Sequence, residues 1–286
     1  MTELSVLQLG KFEETPGHFY CRRFSEHLRA HQPTITVPHK HDFFLTVLFT
    51  QGGGTHEIDF EQHPVKPGSV FLLNPGQTHH WELSDDIEGI IFFHSQEYFE
   101  VHYARHALHH FPFFYSVHNP SAIFLVGEAA HRIEQSFEQL LAEASQPQAW
   151  SQEKIVALLS SLYIDLSRQY PAHDLVLKPE VQGQHLRELE SLIEQHFKTE
   201  KSPTAYAELL HITLRHLNRL TQHTLGKSPT QLITERTLLE AKRLMVHGNL
   251  SLTEIAYALG FEDYAYFSRL FKKWTGVSPT EFAKGY

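Results

Sequence analysis

Two short histidine motifs offer the clearest ligand chemistry in this chain of 286 residues. Residues 38–41 read Pro-His-Lys-His, and residues 75–79 read Pro-Gly-Gln-Thr-His. Residues two apart on a strand share a face, so His39 and His41 are expected to point the same way. With His79 they would form a plausible ligand set for Zn, Fe or Ni. The alternatives are a pocket for a small organic molecule, walled by these histidines and Trp81, and a purely structural role.

The segment from Ser251 onward carries polar and basic side chains at helical spacing. Ser251 and Glu254 have the spacing of a capping box, and a short helix is predicted to end at Gly260, where a turn can use positive φ. A second helix is predicted from about Asp263 to Trp274. Its predicted buried positions are Phe267, Leu270, Phe271 and Trp274, and its outward positions are Tyr264, Ala265, Ser268, Arg269 and Lys272. This combination predicts a helix-turn-helix.

Nearly the same pattern occurs about fifty residues earlier, in residues 203–233. Gly-x-Ser-Pro-Thr occurs at 226–230 and again at 276–280, so each copy closes with a serine N-cap and a proline at N1. The second helix of the first copy is predicted over Thr213–Thr224, with outward residues Arg215, Asn218, Arg219 and Gln222. A long helix, about Pro229–Val246, lies between the copies and would span about 27 Å. Such a rod could present both units to adjacent major grooves, which lie about 34 Å apart on one DNA face.

Residues 203–286 resemble the DNA-binding domain of AraC/XylS-type transcription regulators. The resemblance rests on Ile255-Ala256, Leu259-Gly260-Phe261, Tyr266-Phe267-Ser268-Arg269, Phe271-Lys272-Lys273, Gly276 and Ser278-Pro279, together with the weaker first copy. It implies double-stranded DNA as a partner. The base-facing residues that it implies are Arg215, Asn218 and Arg219 in the first unit and Tyr264, Ala265, Ser268 and Arg269 in the second.

The chemistry of these side chains fits that role. Arginine suits the guanine edge and asparagine the adenine edge, whereas Lys272, Lys273 and the helix N-termini would bind phosphates. One departure from the second copy is His211, which stands where that copy has glycine. Histidine is among the residues that tolerate the left-handed region, so we expect the first turn to form with some strain.

From about residue 18 to 93 the chain predicts short strands separated by turns, as in a sandwich or barrel of the jelly-roll type. The predicted strands are His18–Arg22, Thr34–Val37, Phe43–Thr50, His56–Phe60, Ser69–Leu73 and Ile87–Phe93. The two histidine motifs resemble the cupin motifs HxH and PxG-x-x-H, although here the proline directly precedes the glycine. A metal-binding cupin supplies a carboxylate four or five residues after the second histidine, where this chain has Leu45 and Thr46. That loss favours an organic effector, bound by His39, His41, His79 and Trp81, over a metal.

Two amphipathic helices are predicted after the barrel, over Ser121–Ala144 and Trp150–Tyr170. In the resembled family such helices often form the dimer contact, so a homodimer through about residues 150–170 is expected. The competing explanation is that the stripe Ile155, Leu158, Leu159, Leu162 and Leu166 covers the barrel. Residues 171–184 hold two prolines, a glycine and no periodicity, which predicts a linker.

The predicted organisation is therefore an α+β protein of two domains. A cupin-like barrel occupies residues 1–120 and a helical dimerisation segment occupies 121–170. A linker at 171–184 leads to an all-α double helix-turn-helix domain at 185–286.

Composition and charge narrow the function further. The formal net charge of −9 argues against a protein that coats nucleic acid by bulk electrostatics. Residues 183–286 hold 13 Lys and Arg against 11 Asp and Glu, whereas residues 1–182 hold 11 against 22. DNA affinity must then depend on where the cations lie, namely Arg215, Arg219, Lys242, Arg243, Arg269, Lys272 and Lys273. The single Cys21, the lack of a signal-peptide pattern and the lack of a long apolar run predict a cytoplasmic protein without a membrane partner.

Together these features predict a sequence-specific DNA-binding transcription regulator, controlled by a small-molecule effector in the N-terminal barrel. No catalytic residue, metal ligand or cofactor is assigned, and an enzyme is not expected. The rival hypothesis is a metal-dependent cupin enzyme, a dioxygenase or an isomerase, with a helical appendage. The missing carboxylate after His41 and the doubled helix-turn-helix motif count against it.

Overall fold

The computed structural model describes residues 6–12, 19–35, 37–100, 108, 111–115, 119–170, 180–247 and 249–285. The chain folds as two compact units that divide between residues 174 and 175. The N-terminal unit is rich in β-sheet and the C-terminal unit is helical, which confirms the predicted architecture. Within the described ranges, no helix is both long enough and apolar enough to cross a membrane.

The described part of the N-terminal unit contains ten strands. They are β1 (Val6–Leu7), β2 (Phe19–Arg23), β3 (Lys40–His41), β4 (Phe44–Gln51), β5 (Gly54–Ile58), β6 (Glu61–Val65), β7 (Ser69–Leu73), β8 (His79–Leu83), β9 (Glu88–His94) and β10 (Ala122–Phe124). One antiparallel sheet has the order β10-β7-β4-β9-β2, and a second has the order β6-β5-β8. β1 and β3 pair in parallel.

The two larger sheets contribute to a single aromatic-rich core. Phe49 and Phe93 of the larger sheet and Ile58 and Trp81 of the smaller one belong to the same buried cluster. Alternate residues of β5 and β8 are buried, as expected when only one face of a sheet is covered. Because both sheets bury one face in this core, they enclose it as in a sandwich or barrel.

The predicted strand Thr34–Val37 is wrong. A helix, α1 (Phe24–Ile35), contains the first two residues of that stretch. Phe24, His27 and Ile35 are buried in it at positions i, i+3 and i+11, which is one helical face. The β-branched run at its end suggested a strand, but packing of this face onto the barrel decides the structure.

The first predicted amphipathic helix also begins later than expected. Residues 122–124 form β10 at the edge of the larger sheet, where they pair with β7. Ile123 and Leu125 are buried while Phe124 and Val126 are exposed, a period of two that is typical of a strand rather than a helix. The helix α4 then runs over Gly127–Ser145.

The helix α5 (Ser151–Gln169) covers the larger sheet with the side chains that were predicted as its apolar stripe. Ile155, Leu159, Leu162 and Leu166 are buried, and Leu158 is half-buried. Tyr163 of α5 is fully buried, and its hydroxyl oxygen lies 2.6 Å from His94 Nε2. Short helices α2 (Gln96–Glu100) and α3 (Pro112–Tyr115) surround it with aromatic rings, namely Phe99, Phe113 and Phe114.

Seven helices form the described part of the C-terminal unit. They are α6 (Glu180–His196), α7 (Pro203–Leu209), α8 (Leu214–Leu225), α9 (Pro229–His247), α10 (Leu252–Ala258), α11 (Tyr264–Thr275) and α12 (Pro279–Gly285). The pairs α7–α8 and α10–α11 are the two predicted helix-turn-helix units, and α9 is the predicted long helix between them. The predicted linker at 171–184 lies mostly outside the described residues, and its last five residues already belong to α6.

The predicted caps of the C-terminal helices are present. Ser251 and Glu254 form a complete capping box, and the serine–glutamine and serine–glutamate pairs before α9 and α12 exchange the same reciprocal hydrogen bonds. His211 adopts a φ of +55°, so it does occupy the left-handed region at the first turn. On α11, Phe267 and Phe271 are buried as predicted. The predicted burial of Leu270 and Trp274 is wrong: Leu270 is half-buried and Trp274 is exposed near the end of the helix.

Candidate histidine cluster and DNA-reading surface

The predicted effector residues His39, His41, His79 and Trp81 lie together inside the barrel, and all are buried. The ring of His79 is 4.4 Å from that of His39, 5.1 Å from that of His41 and 4.7 Å from that of Trp81, between centroids. His79 and Trp81 share the inward face of β8. The backbones of His39 and His79 exchange two hydrogen bonds, of 3.1 and 3.0 Å, which ties the first motif to the second.

A fourth imidazole, His56, belongs to this cluster and was not among the predicted site residues. It lies opposite Trp81 in the β5–β8 register, and its Nε2 is 2.9 Å from His79 Nδ1. The alternation of His56 and Ile58 on a predicted strand was the signal that could have placed it inward. We refer to His39, His41, His56, His79 and Trp81 as the histidine cluster.

Hydrogen bonds to the backbone define the tautomers of two members. The Nδ1 atoms of His39 and His41 lie 2.9 Å from Val37 O and 2.7 Å from Phe43 O. A carbonyl can only accept, so each Nδ1 carries the proton and each Nε2 presents a lone pair. His41 Nε2, His79 Nε2 and Trp81 Nε1 are buried and have no hydrogen-bond partner among the described residues.

Burial keeps the cluster neutral at pH 7. It lowers the pKa of His41 to about 3 and shifts the pKa of His56 and His79 well below the usual value. The pKa of His39 is lowered as well, again mainly by burial. In the described parts of the chain, no three His, Cys, Asp or Glu side chains are grouped so as to hold a metal ion. Neutral imidazoles can donate and accept hydrogen bonds but carry no positive charge.

The outward face of α8 presents the first set of predicted DNA contacts. Arg215, Asn218, Arg219 and Gln222 are all exposed, at positions i, i+3, i+4 and i+7 of one face. Two of them already bond within the chain: the Asn218 amide donates to Leu214 O at 2.9 Å and the Gln222 amide donates to Gly226 O at 3.2 Å. A bidentate contact from Asn218 to adenine would require its side chain to leave that carbonyl.

The outward face of α11 presents the second set. Ala265, Arg269, Lys272 and Lys273 are exposed, whereas Tyr264 and Ser268 are half-buried. The N-cap Asp263 accepts from the backbone N–H groups of Ala265 and Tyr266, at 3.0 and 2.9 Å. Tyr266 is 55% exposed beside this face and was not predicted as a site residue. The helical period that made its neighbours outward also places it at the surface.

One of the cations predicted to contact DNA is buried, so that prediction is wrong. Arg243 is 5% exposed, and its Nη1 lies 3.6 Å from Glu240 Oε2 on the same helix. Lys242 is half-buried, with its Nζ 5.6 Å from the centre of the Phe282 ring. Both lie on α9, which packs against helices of both helix-turn-helix units. This packing covers a face of α9 that the sequence predicted to be basic and exposed. Among the seven cations predicted to contact DNA, those of α8 and α11 are exposed.

Comparison with known proteins gives the same division of the chain. A family model described as the AraC-like ligand binding domain matches residues 25–163, and a helix-turn-helix domain model matches residues 206–285. The chain belongs to the AraC family of transcription regulators. This AraC-family member thus joins a ligand-binding domain to a DNA-binding domain, as the sequence predicted.

Similar proteins cover most of this AraC-family chain. The HTH-type transcriptional activator RhaS of Escherichia fergusonii is 28% identical over 249 residues, which are 86% of this chain and 87% of that protein. RhaS of an Enterobacter species is 27% identical over 262 residues, 88% of this chain and 90% of that protein. The solved structure of ToxT from Vibrio cholerae with a bound unsaturated fatty acid is 14% identical, with a TM-score of 0.47, and covers 95% of this chain and 96% of that one.

Proposed function

We propose that the C-terminal unit reads two neighbouring segments of one DNA duplex, with α8 in one major groove and α11 in the next. The observation that supports this most strongly is the matched exposure of the two helices. Arg219 and Arg269, which occupy the same position in the repeat, both stand free of the helical core. In this proposal the arginines and Asn218 contact base edges, and Lys272 and Lys273 contact phosphates.

We further propose that the histidine cluster binds a neutral effector that carries both hydroxyl-type donors and acceptors. The Nε2 atom of His41 must accept a hydrogen bond, whereas Trp81 Nε1 must donate one. Among the described buried residues of the N-terminal unit there is no Lys or Arg to balance a carboxylate. Buried polar atoms left without partners cost about 1–3 kcal/mol each, so a ligand that satisfies them recovers that free energy.

Effector binding would require the side chains of the histidine cluster to rearrange. The unpartnered nitrogens of His41, His79 and Trp81 have almost no accessible surface, so a ligand reaches them only when the rings move apart. A ligand that favours the opened arrangement shifts the population toward it, which is the basis of a regulatory response. The protein would act in the cytoplasm, where its DNA target lies, and no catalytic step is assigned to it.

A homodimer remains part of the proposal, but through a different face of α5. Leu162 is fully buried against the barrel, so it cannot contact a second copy. The exposed face of α5 carries Ala157, Ser161 and Ile164, with Leu158 at its edge. We propose that this face forms the contact between two copies.

Selection of duplexes from a random-sequence pool by the full-length protein tests the proposed function. The selected duplex should bind at least about 1,000-fold more tightly than random DNA at the same salt concentration. Binding of the protein to this duplex is then measured in the presence of neutral polyhydroxylated compounds and, separately, of carboxylic acids. We expect responses to the neutral compounds, loss of the response in His41→Ala, and an unchanged response in His80→Ala, whose side chain is on the other face of β8. A response that survives in His41→Ala would remove the cluster from the effector site, and tightly bound stoichiometric metal would revive the enzyme hypothesis.

A further inference from the structure

The two helix-turn-helix units are joined by α9 and also by a second connection, through the segment that precedes the first unit. The chain between α6 and α7, residues 197–201, lies against the turn between α10 and α11. We call residues 197–201 the brace. Its position matters because that turn leads straight into α11, the second helix proposed to read DNA.

Lys201 makes the polar part of this contact. Its ammonium group donates to Leu259 O at 2.9 Å and also to Phe197 O within the brace. The Nζ atom lies 5.5 Å from the centre of the Phe261 ring, on the far side of the same turn. One side chain thus holds residues on both sides of Gly260. Burial lowers the pKa of Lys201 to about 8, in keeping with its enclosed position.

Gly260 makes the second part of the contact between the brace and the turn, by close packing of the backbone. A Cβ atom at this position would lie 1.9 Å from the Lys198 carbonyl oxygen, much closer than any real contact. Positive φ alone does not demand glycine, because His211 takes the same place in the first unit with a φ of +55° and an exposed side chain. The second turn therefore has glycine because the brace backbone occupies the space of a side chain. This explains the difference between the two copies of the repeat.

The brace is itself fixed to the first unit and to α9. Arg236 of α9 stacks over the Phe197 ring at 4.0 Å and pairs with Glu194 of α6. The Tyr206 hydroxyl of α7 donates to Glu200 O at 3.1 Å. A rigid connection therefore runs from α7 through the brace to the turn before α11.

We propose that Lys201 is a positioning residue that, with Gly260, holds the two reading helices at one separation, so that the protein accepts its two DNA motifs at a single spacing. This rests on the proposed function. One inserted base pair moves a motif by about 3.4 Å along the duplex and by roughly 34–36° around it. A locked pair of units cannot follow that change, whereas a pair joined only through α9 can adjust.

The test uses the full-length protein and the duplex that it selects from a random pool. Affinity is measured for that duplex and for versions with one base pair added or removed between the two motifs. For the wild type, each change should weaken binding at least about tenfold, comparable to the loss of a base contact. In Lys201→Met the ratio of the affinity for the selected spacing to the affinity for an altered spacing should fall toward one, because the two helix-turn-helix units can move independently.

The matched control is Lys198→Met, in the same segment. Its ammonium group lies 5.7 Å from the Phe197 ring of its own brace, and its loss should leave the spacing ratio as steep as in the wild type. Lys272→Ala should weaken all spacings by the same factor, as expected of a phosphate contact. Lys201→Leu, which also removes the donor but keeps an apolar side chain, provides the same comparison if the methionine variant does not fold.

An equal loss of affinity at every spacing in the Lys201 variants, or no change at all, would overturn the positioning role. Failure of the wild type to enrich any duplex would instead contradict the proposed DNA reading, so the two failures are distinguishable.

Discussion

At the scale of single residues, buried neutral imidazoles dominate the N-terminal unit. Burial lowers the pKa of His27 and His41 to about 3 and that of His94 to about 4. An unfolded histidine has a pKa near 6.5, so the unfolded chain binds more protons than the folded chain between those values. The stability that these groups contribute is fully present above about pH 6.5 and is lost as the pH falls toward 4 and 3.

The free energy of unfolding of the N-terminal unit should therefore be lower at pH 5 than at pH 7, by about 2 kcal/mol for each fully buried histidine. Urea unfolding at the two pH values measures this difference. His41→Gln removes one contributor and should reduce the difference, whereas His131→Gln, at an exposed position of α4, should leave it unchanged. Stability that is flat between pH 7 and pH 5 would contradict the buried, neutral state of the cluster.

The residues that sequence reasoning placed correctly are those whose neighbours along the chain decide their position. The cap Ser251 and the exposed side chains of α8 and α11 follow from helical spacing alone. Arg243 and His56 do not, because their burial depends on partners far away in sequence. Arg243 is covered where α9 packs in the helical unit, and His56 is brought to His79 by the pairing of β5 with β8.

At the scale of elements, α5 is held on the barrel through the buried hydroxyl of Tyr163, which lies within an aromatic shell. His94 Nδ1 lies 2.9 Å from Ser95 O, so Nδ1 carries the proton and Nε2 accepts from the Tyr163 hydroxyl. That hydroxyl also lies 3.5 Å from Thr46 Oγ1, on the outward face of β4. The helix, its length and its buried stripe were predicted from periodicity, but this polar link between distant segments was not.

Tyr163→Phe should destabilise the N-terminal unit by about 1–3 kcal/mol, because His94 Nε2 stays buried and loses its donor. Chemical denaturation at pH 7 measures the change. Tyr257→Phe, at an exposed position of α10, removes the same hydroxyl group from a solvated site and should have little effect. Equal stabilities of the Tyr163 variant and the wild type would show that the hydrogen bond does not hold α5 in place.

The exposed face of α5, proposed as the contact between two copies, allows dimerisation to be tested separately from folding. Ile164→Glu adds a charge at a position that is 42% exposed, so it should dissociate a homodimer and leave the unfolding free energy nearly unchanged. Leu162→Glu buries an unpaired carboxylate against the barrel and should destabilise the fold itself. Sedimentation of the two variants beside the wild type distinguishes these effects. A wild-type monomer, or an Ile164→Glu dimer as tight as the wild type, would remove this face from the assembly.

At the scale of the whole molecule, charge and repetition limit how DNA can be bound. The segment 183–286 has a formal balance of only +2 and the remainder has −11. Long-range attraction to phosphates is therefore weak, and affinity has to come from several specific contacts made together. The two proposed reading helices in one chain, and the proposed pairing of two chains, would raise affinity through effective concentration without any new kind of contact. The two-domain order was predictable because each half carries its own local pattern, strands with turns first and capped helices afterwards.

In the proposed function, α8 and α11 each read their own segment of one duplex. Selection from a random pool should yield two motifs about one helical turn apart, 10–10.5 base pairs between centres. Arg219→Ala should relax the sequence of one motif and Arg269→Ala that of the other, each weakening binding by about 1–3 kcal/mol. A single enriched motif, or two variants that relax the same base pairs, would contradict the account.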